Sequence, residues 1–156
     1  MTDIIVKPTT AADISALRQV LDGTELFPSD MLAEMMTPFL EGQSEAFWLS
    51  CHVQKVAVGL AYTIPEDLTN GTWNILALAV LPEVHGQGCG AALVSGVEER
   101  LRKTDQRMLI VETSGTEMFS GARRFYRAVG YQEEARIRDF WEKGDDKVVF
   151  RKVLSA

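Results

Sequence analysis

The stretch from Leu76 to Arg102 limits what this chain can fold into more than any other. An apolar run from Ile75 to Leu81 stops at Pro82. Alternate glycines follow in His85-Gly86-Gln87-Gly88-Cys89-Gly90-Ala91, and Ala91 to Arg102 then places apolar residues at helical spacing. This order predicts a strand, a tight glycine loop and a helix. Glycines let the backbone turn sharply and let another group come close to it. The unpaired N–H groups of a helix's first turn, at the positive end of its dipole, attract phosphate. The same residues also fit a glycine-rich turn that does nothing but connect two elements.

A chain of 156 residues suits one domain with a real core, and we expect a single domain over 1–156. Apolar residues make up 46% and charged residues 24%, an ordinary globular balance. No apolar run approaches the roughly 20 residues of a membrane span, and the first residues lack the charged and apolar regions of a signal peptide. We therefore expect no membrane association. Cys51 and Cys89 lie in separate segments with no CxxC pattern, which suits a cytoplasmic protein with free thiols. Neither His52 nor His85 has metal-ligand spacing, so no metal is expected. A net charge of −6 argues against nucleic acid as a partner.

Taken in order, Ile4–Val6 reads as a strand, and Thr10 or Asp13 can cap a helix carrying Ile14, Leu17, Val20 and Leu21 on one face. A second helix starts at Ser29 or Asp30, carries Met31, Leu32, Met35 and Met36, and ends near Pro38-Phe39-Leu40. Residues 46–53, 56–64 and 72–81 read as three strands joined by short loops, which implies an antiparallel meander. After the glycine loop and its helix, Arg107–Glu112 is a strand, and a strand–helix–strand unit makes parallel neighbours. Met118–Val129 is a helix stopped by Gly130, Tyr131–Arg138 a strand, Phe140–Asp146 a loop, and Lys147–Leu154 the last strand. The expected fold is α/β, with a mixed, largely antiparallel central sheet flanked by helices.

Order and motifs together resemble the GNAT superfamily of acyl-CoA-dependent N-acetyltransferases. Ala77-Leu78-Ala79-Val80-Leu81-Pro82 is similar to the family's apolar strand and link. His85 to Ala91 is similar to its pattern of Arg or Gln, two residues, Gly, one residue, then Gly or Ala. Ala122 to Tyr131 is similar to its late helix, which ends Phe/Leu-Tyr, three residues, Gly-Phe/Tyr. A P-loop would need Gly-Lys-Ser/Thr where this chain has Gly90-Ala91-Ala92. A dinucleotide domain would need further βαβ units, for which too little chain follows.

The resemblance implies acetyl-CoA as co-substrate, lying across the strand and the loop, with the parallel strand pair at the acyl-CoA cleft. Backbone groups of Leu78, Ala79 and Val80 would hold the pantetheine arm. Amides of Gln87, Gly88, Cys89, Gly90 and Ala91 would take the pyrophosphate, with His85 and Gly86 leading into them. The side chain of His85, where the family has Arg or Gln, also fits an exposed loop residue or a local cap. Cys89 stands where an aliphatic residue is common; it is either a small buried filler or a thiol acidified at a helix start. Tyr126 matches the tyrosine that can donate a proton to the leaving thiolate, although a core tyrosine on an amphipathic helix would look the same. Some relatives carry an acid where this chain has Asn74, which cannot take a proton. Glu112 is then the candidate base, and a polar strand-end residue is the alternative. Phe119 stands seven residues before Tyr126, where many relatives place a cofactor-binding Asn. Ser114 or Ser120 could replace that contact, and Arg123 or Arg124 could reach a phosphate or simply face solvent.

The acceptor would be a primary amine of a small molecule or peptide. The Met31/Met35/Met36 helix, the Pro65–Thr72 loop and the stretch Asp139-Phe140-Trp141 with Asp145-Asp146 would recognise it. Phe140 and Trp141 beside acids could hold a cation, form a lid, or make a homodimer contact. The alternative function is a non-catalytic acyl-CoA-binding regulatory domain of the same fold.

Overall fold

The computed structural model describes residues 3–155. Seven strands form one sheet in the order β1-β2-β3-β4-β5-β7-β6. They are β1 (Ile4–Pro8), β2 (Phe47–Val53), β3 (Val56–Pro65), β4 (Thr72–Val80), β5 (Met108–Ser114), β6 (Gln132–Glu142) and β7 (Asp145–Val153). The helices are α1 (Ile14–Thr24), α2 (Leu32–Leu40), α3 (Cys89–Lys103) and α4 (Ser120–Ala128). β1–β2, β2–β3, β5–β7 and β6–β7 are antiparallel, whereas β4 and β5 run parallel, as the strand–loop–helix–strand pattern predicts. Among the described residues, no helix is long and apolar enough to cross a membrane. The chain divides into two compact units: the first runs to Pro65 and adds Leu76–Arg100, and the second comprises Glu66–Ile75 and the residues from Leu101 onward.

In the first unit the apolar stripe of α1 (Leu17, Val20, Leu21) and that of α2 (Leu32, Met36) pack with Trp48, Leu60, Ala77 and Ala79. Met36 is core and Met35 packs against it, while Met31 is exposed. Thr10 and Asp13 share the capping work: the Thr10 backbone N–H donates to Asp13 Oδ2 at 2.9 Å, and the Thr10 hydroxyl donates to the same atom at 3.2 Å. α2 runs through Pro38 to Leu40. Helix α3 lies very close to the strands. A Cβ on Gly96 would fall 2.8 Å from Val6 Cγ1 and 3.4 Å from Leu49 Cδ1, so only glycine fits there.

β2 and β3 are joined by Gln54-Lys55, with φ of 52° and 68°. Two consecutive left-handed residues form the turn that suits a twisted hairpin, and it favours Asn-Gly. The double substitution Gln54→Asn, Lys55→Gly is expected to stabilise the protein by about 1 kcal/mol, since a side chain in this region costs roughly 1–2 kcal/mol. A thermal melt should read this as a rise of about 2–4 °C. A lowered midpoint would contradict the turn assignment.

In the second unit the parallel register pairs Thr72 with Met108 through Ile75 with Val111. Leu109, Val111, Val148 and Phe150 are buried together with Tyr126 and Tyr131. A 3-10 turn, Glu117–Phe119, precedes α4, so the regular helix is shorter than the pattern suggested. Gly130, at φ 98°, ends it as expected. The Tyr131 N–H reaches back to the Tyr126 carbonyl at 2.9 Å, and Lys152 Nζ caps the Val129 carbonyl at 3.0 Å.

The loop expected over Phe140–Asp146 is instead a continued hairpin. β6 runs to Glu142 and β7 begins at Asp145, leaving Lys143-Gly144 as the turn. Two carboxylates make this possible. The Asp139 N–H donates to Asp146 Oδ1 at 3.0 Å, and the Gly144 N–H donates to Asp139 Oδ1 at 2.8 Å. Side chains therefore replace ladder bonds at the irregular segment between Ile137 and Glu142.

Candidate active site

The glycine loop lies wholly in the first unit. Pro82–Val84 forms a 3-10 turn, after which Gly86 and Gly88 adopt φ of 83° and 91°. These left-handed steps turn the chain into α3, which begins at Cys89, two residues before the predicted Ala91. The Gln87 N–H is directed to the Val84 carbonyl at 3.3 Å, and the Ala92 N–H to the Gly88 carbonyl at 3.0 Å. Among the described residues, no backbone carbonyl accepts from Gly88, Cys89, Gly90 or Ala91. Four successive donors at a helix start thus remain for an anion. Gln87, expected among them, has its N–H engaged.

His85 is a local cap, one of the two roles its side chain could have had. Its Nε2 donates to the Val80 carbonyl at 2.7 Å, joining the loop to the end of β4. Leu78 and Val80 are half-buried and Ala79 is buried, beyond the part of β4 that pairs with β5. Cys89 is buried next to Cys51, and both thiols are free. Burial, with the Cys89 thiol as neighbour, pushes Cys51 up to about 12.

The second unit holds the residues expected to do chemistry. Tyr126 is buried, with its ring 5.7 Å from Phe150, 5.3 Å from Phe125 and 6.3 Å from Tyr131. Burial raises the phenol well above its ordinary value, so it stays protonated and keeps a proton to donate. Glu112 is half-buried on β5 and pairs with Lys147 Nζ at 3.1 Å. Lys147 also sits 4.3 Å from the centre of the Phe140 ring.

Ser114 and Arg123 are both committed elsewhere. The Ser114 hydroxyl donates to Asp145 Oδ1 at 2.6 Å and accepts from the Thr116 N–H at 3.1 Å. Arg123 Nη1 reaches the carbonyls of Ser114 and Thr116, each at 2.7 Å. Arg123 thus clamps the loop after β5 through Nη1. Phe119 is partly exposed just before α4.

Residues 43–133 match the family model for the acetyltransferase (GNAT) domain. The chain belongs to the GNAT acetyltransferase family. It is 23% identical over 150 residues to an uncharacterized N-acetyltransferase of Methanocaldococcus jannaschii, covering 96% of this chain and 91% of that one. A protein of Desulfovibrio desulfuricans assigned to the GNAT family superposes with a TM-score of 0.88 at 26% identity, covering 98% of this chain and all of its own. An aminoglycoside 6'-N-acetyltransferase solved with coenzyme A superposes with a TM-score of 0.78 at 16% identity, covering 97% of this chain and 98% of that one.

This GNAT acyltransferase also has a carboxylate that no motif singled out. Asn74 is buried and donates from Nδ2 to Glu66 Oε1 at 2.8 Å. Asn74 Oδ1 has no partner among the described residues. Glu66 sits in the Pro65–Thr72 loop, eight positions earlier, and only the return of that loop onto β4 brings the two together.

Proposed function

We propose that residues 1–156 act as one N-acetyltransferase domain that transfers acetyl from acetyl-CoA to a primary amine by direct attack in a ternary complex. The row of uncommitted amides from Gly88 to Ala91 carries this reading. Such donors hold a pyrophosphate without cationic side chains, in keeping with a chain of net charge −6. Gly86 supplies the turn, His85 fixes the end of β4, and the backbone of Leu78, Ala79 and Val80 would meet the pantetheine arm. The Val80 carbonyl is engaged by His85.

Acyl transfer needs a neutral amine, donors for the charge developing in the transition state, and close positioning of both substrates. Tyr126 supplies a hydrogen bond to the departing thiolate; with its phenol raised, it stabilises the charge rather than surrendering the proton outright. Glu112 can receive the amine's proton, directly or through water, once it parts from Lys147. The aminoglycoside enzyme among the structural relatives suggests small amines, while the chain's own features leave peptides equally open. Two buried free cysteines fit a cytoplasmic setting.

The test is release of coenzyme A from acetyl-CoA with an alanine-initiated peptide, an aminoglycoside and spermidine as acceptors. Amine-dependent release is expected with at least one. A thermal shift on acetyl-CoA without release would favour the non-catalytic binding domain, and no shift would end the acyl-CoA reading.

A further inference from the structure

Glu66 is the carboxylate of the second unit whose setting asks for a purpose. Its backbone is fixed on both sides: its N–H donates to the Thr72 carbonyl at 2.8 Å, and its carbonyl accepts from the Thr69 hydroxyl at 2.8 Å. The far end of the same loop is also tied down. Arg107 gives its backbone N–H to the Gly71 carbonyl at 2.8 Å and its Nε to the Asn70 carbonyl at 2.5 Å. The side chain of Glu66 is held by the amide of Asn74, which is only 2% exposed. Two contacts thus fix the Glu66 backbone and one orients its half-buried carboxylate, with Oε2 left uncommitted among the described residues.

Three observations distinguish it from a structural loop clamp. No cation pairs with Glu66 among the described residues, whereas Glu112 is tied to Lys147. Asn74 keeps a buried, unpartnered Oδ1, and leaving such an acceptor unpaired is costly where an apolar side chain would fill the strand position freely. What the asparagine provides in return is its Nδ2 contact with Glu66. Finally, Asn74 stands opposite Ile110 in the parallel register, and Glu112 follows Ile110 by two residues on the same face of β5. The loop thus brings a carboxylate to the Asn74 side chain, on the strand that pairs with the one carrying Glu112.

We infer that Glu66 is the catalytic carboxylate that takes the acceptor amine's proton, with Asn74 as its positioning residue. The inference rests on the N-acetyltransferase reading and moves the base from Glu112 to Glu66. The ammonium form of the acceptor gives one proton to Glu66, and the neutral nitrogen attacks the thioester carbonyl to form the C–N bond. The C–S bond then breaks, the second nitrogen proton passes to the departing sulfur, and Glu66 returns its own to solvent. The products are the amide, coenzyme A with its thiol, and one proton.

The experiment compares wild type, Glu66→Gln and Glu66→Asp on whichever of the three amines wild type acetylates. Glutamine can still accept from Asn74, so the loop contact survives. Glu66→Gln is expected to lower kcat about 100-fold at pH 7 with KM for acetyl-CoA unchanged. The deficit should shrink as pH rises past the amine's own pKa, about 8 for a peptide α-amine, because the acceptor then arrives neutral. Glu66→Asp should recover part of the rate. A Glu66→Gln rate equal to wild type, or a deficit constant with pH, overturns the assignment while leaving the N-acetyltransferase reading intact. Wild type inactive on all three amines overturns both.

Discussion

Gly88→Asp is expected to weaken acetyl-CoA binding about thirtyfold while leaving the protein folded. Gly88 sits at φ 91°, where a side chain costs roughly 1–2 kcal/mol. Its own N–H and those of the next three residues form the row of open donors. A carboxylate there sets a negative charge among groups that would otherwise meet pyrophosphate, for about another 2 kcal/mol in a partly desolvated setting. The repulsion alone sets the affinity loss, about thirtyfold, because the backbone strain is carried by the free and the bound protein alike. Gly42→Asp is the control: Gly42 also has a positive φ of 70°, with open space around it. It should lose comparable stability and none of the affinity. Titration calorimetry with acetyl-CoA on both variants decides the matter, and equal affinity in Gly88→Asp would remove the loop from the cofactor site.

Tyr126→Phe should reduce kcat by about 10²–10³-fold, the range for losing one donor aimed at developing charge. Every ring contact survives the change, because Phe150, Phe125 and Tyr131 meet the ring and not the hydroxyl through their centroids at 5.7, 5.3 and 6.3 Å. Thermal stability and acetyl-CoA affinity are therefore expected to hold. A full turnover number in Tyr126→Phe would return the residue to the core, where its burial already places it.

Much of this architecture could be read from local patterns. The strand–glycine–helix unit announces itself because each of its parts has its own period or backbone demand, and Gly86, Gly88 and Gly130 indeed take positive φ. The β6–β7 hairpin was hidden because Phe140-Trp141-Glu142-Lys143-Gly144-Asp145-Asp146 has the composition of a loop. It is held as a hairpin by Asp139 and Asp146, whose carboxylates take backbone N–H groups, and residue type cannot announce that. Arg123 was ambiguous for a similar reason: a cation on a helix says nothing about carbonyls seven and nine residues back. Glu66 carries no signal in the sequence because its setting depends on one hydrogen bond across a turn, to Asn74 eight positions on. The acceptor is written in no pattern, since its contacts would come from loops with no periodicity to read.

The burial of the two cysteines has a practical side. Reagents that colour on reaction with thiols attack the thiolate, and Cys51, pushed up to about 12, presents almost none at neutral pH. Cys89 is shielded by its 2% exposure. The native protein should therefore be nearly silent to such a reagent, and colour appearing during turnover belongs to coenzyme A. Adding denaturant afterwards would expose both protein thiols and provide an internal count of the enzyme in the cuvette.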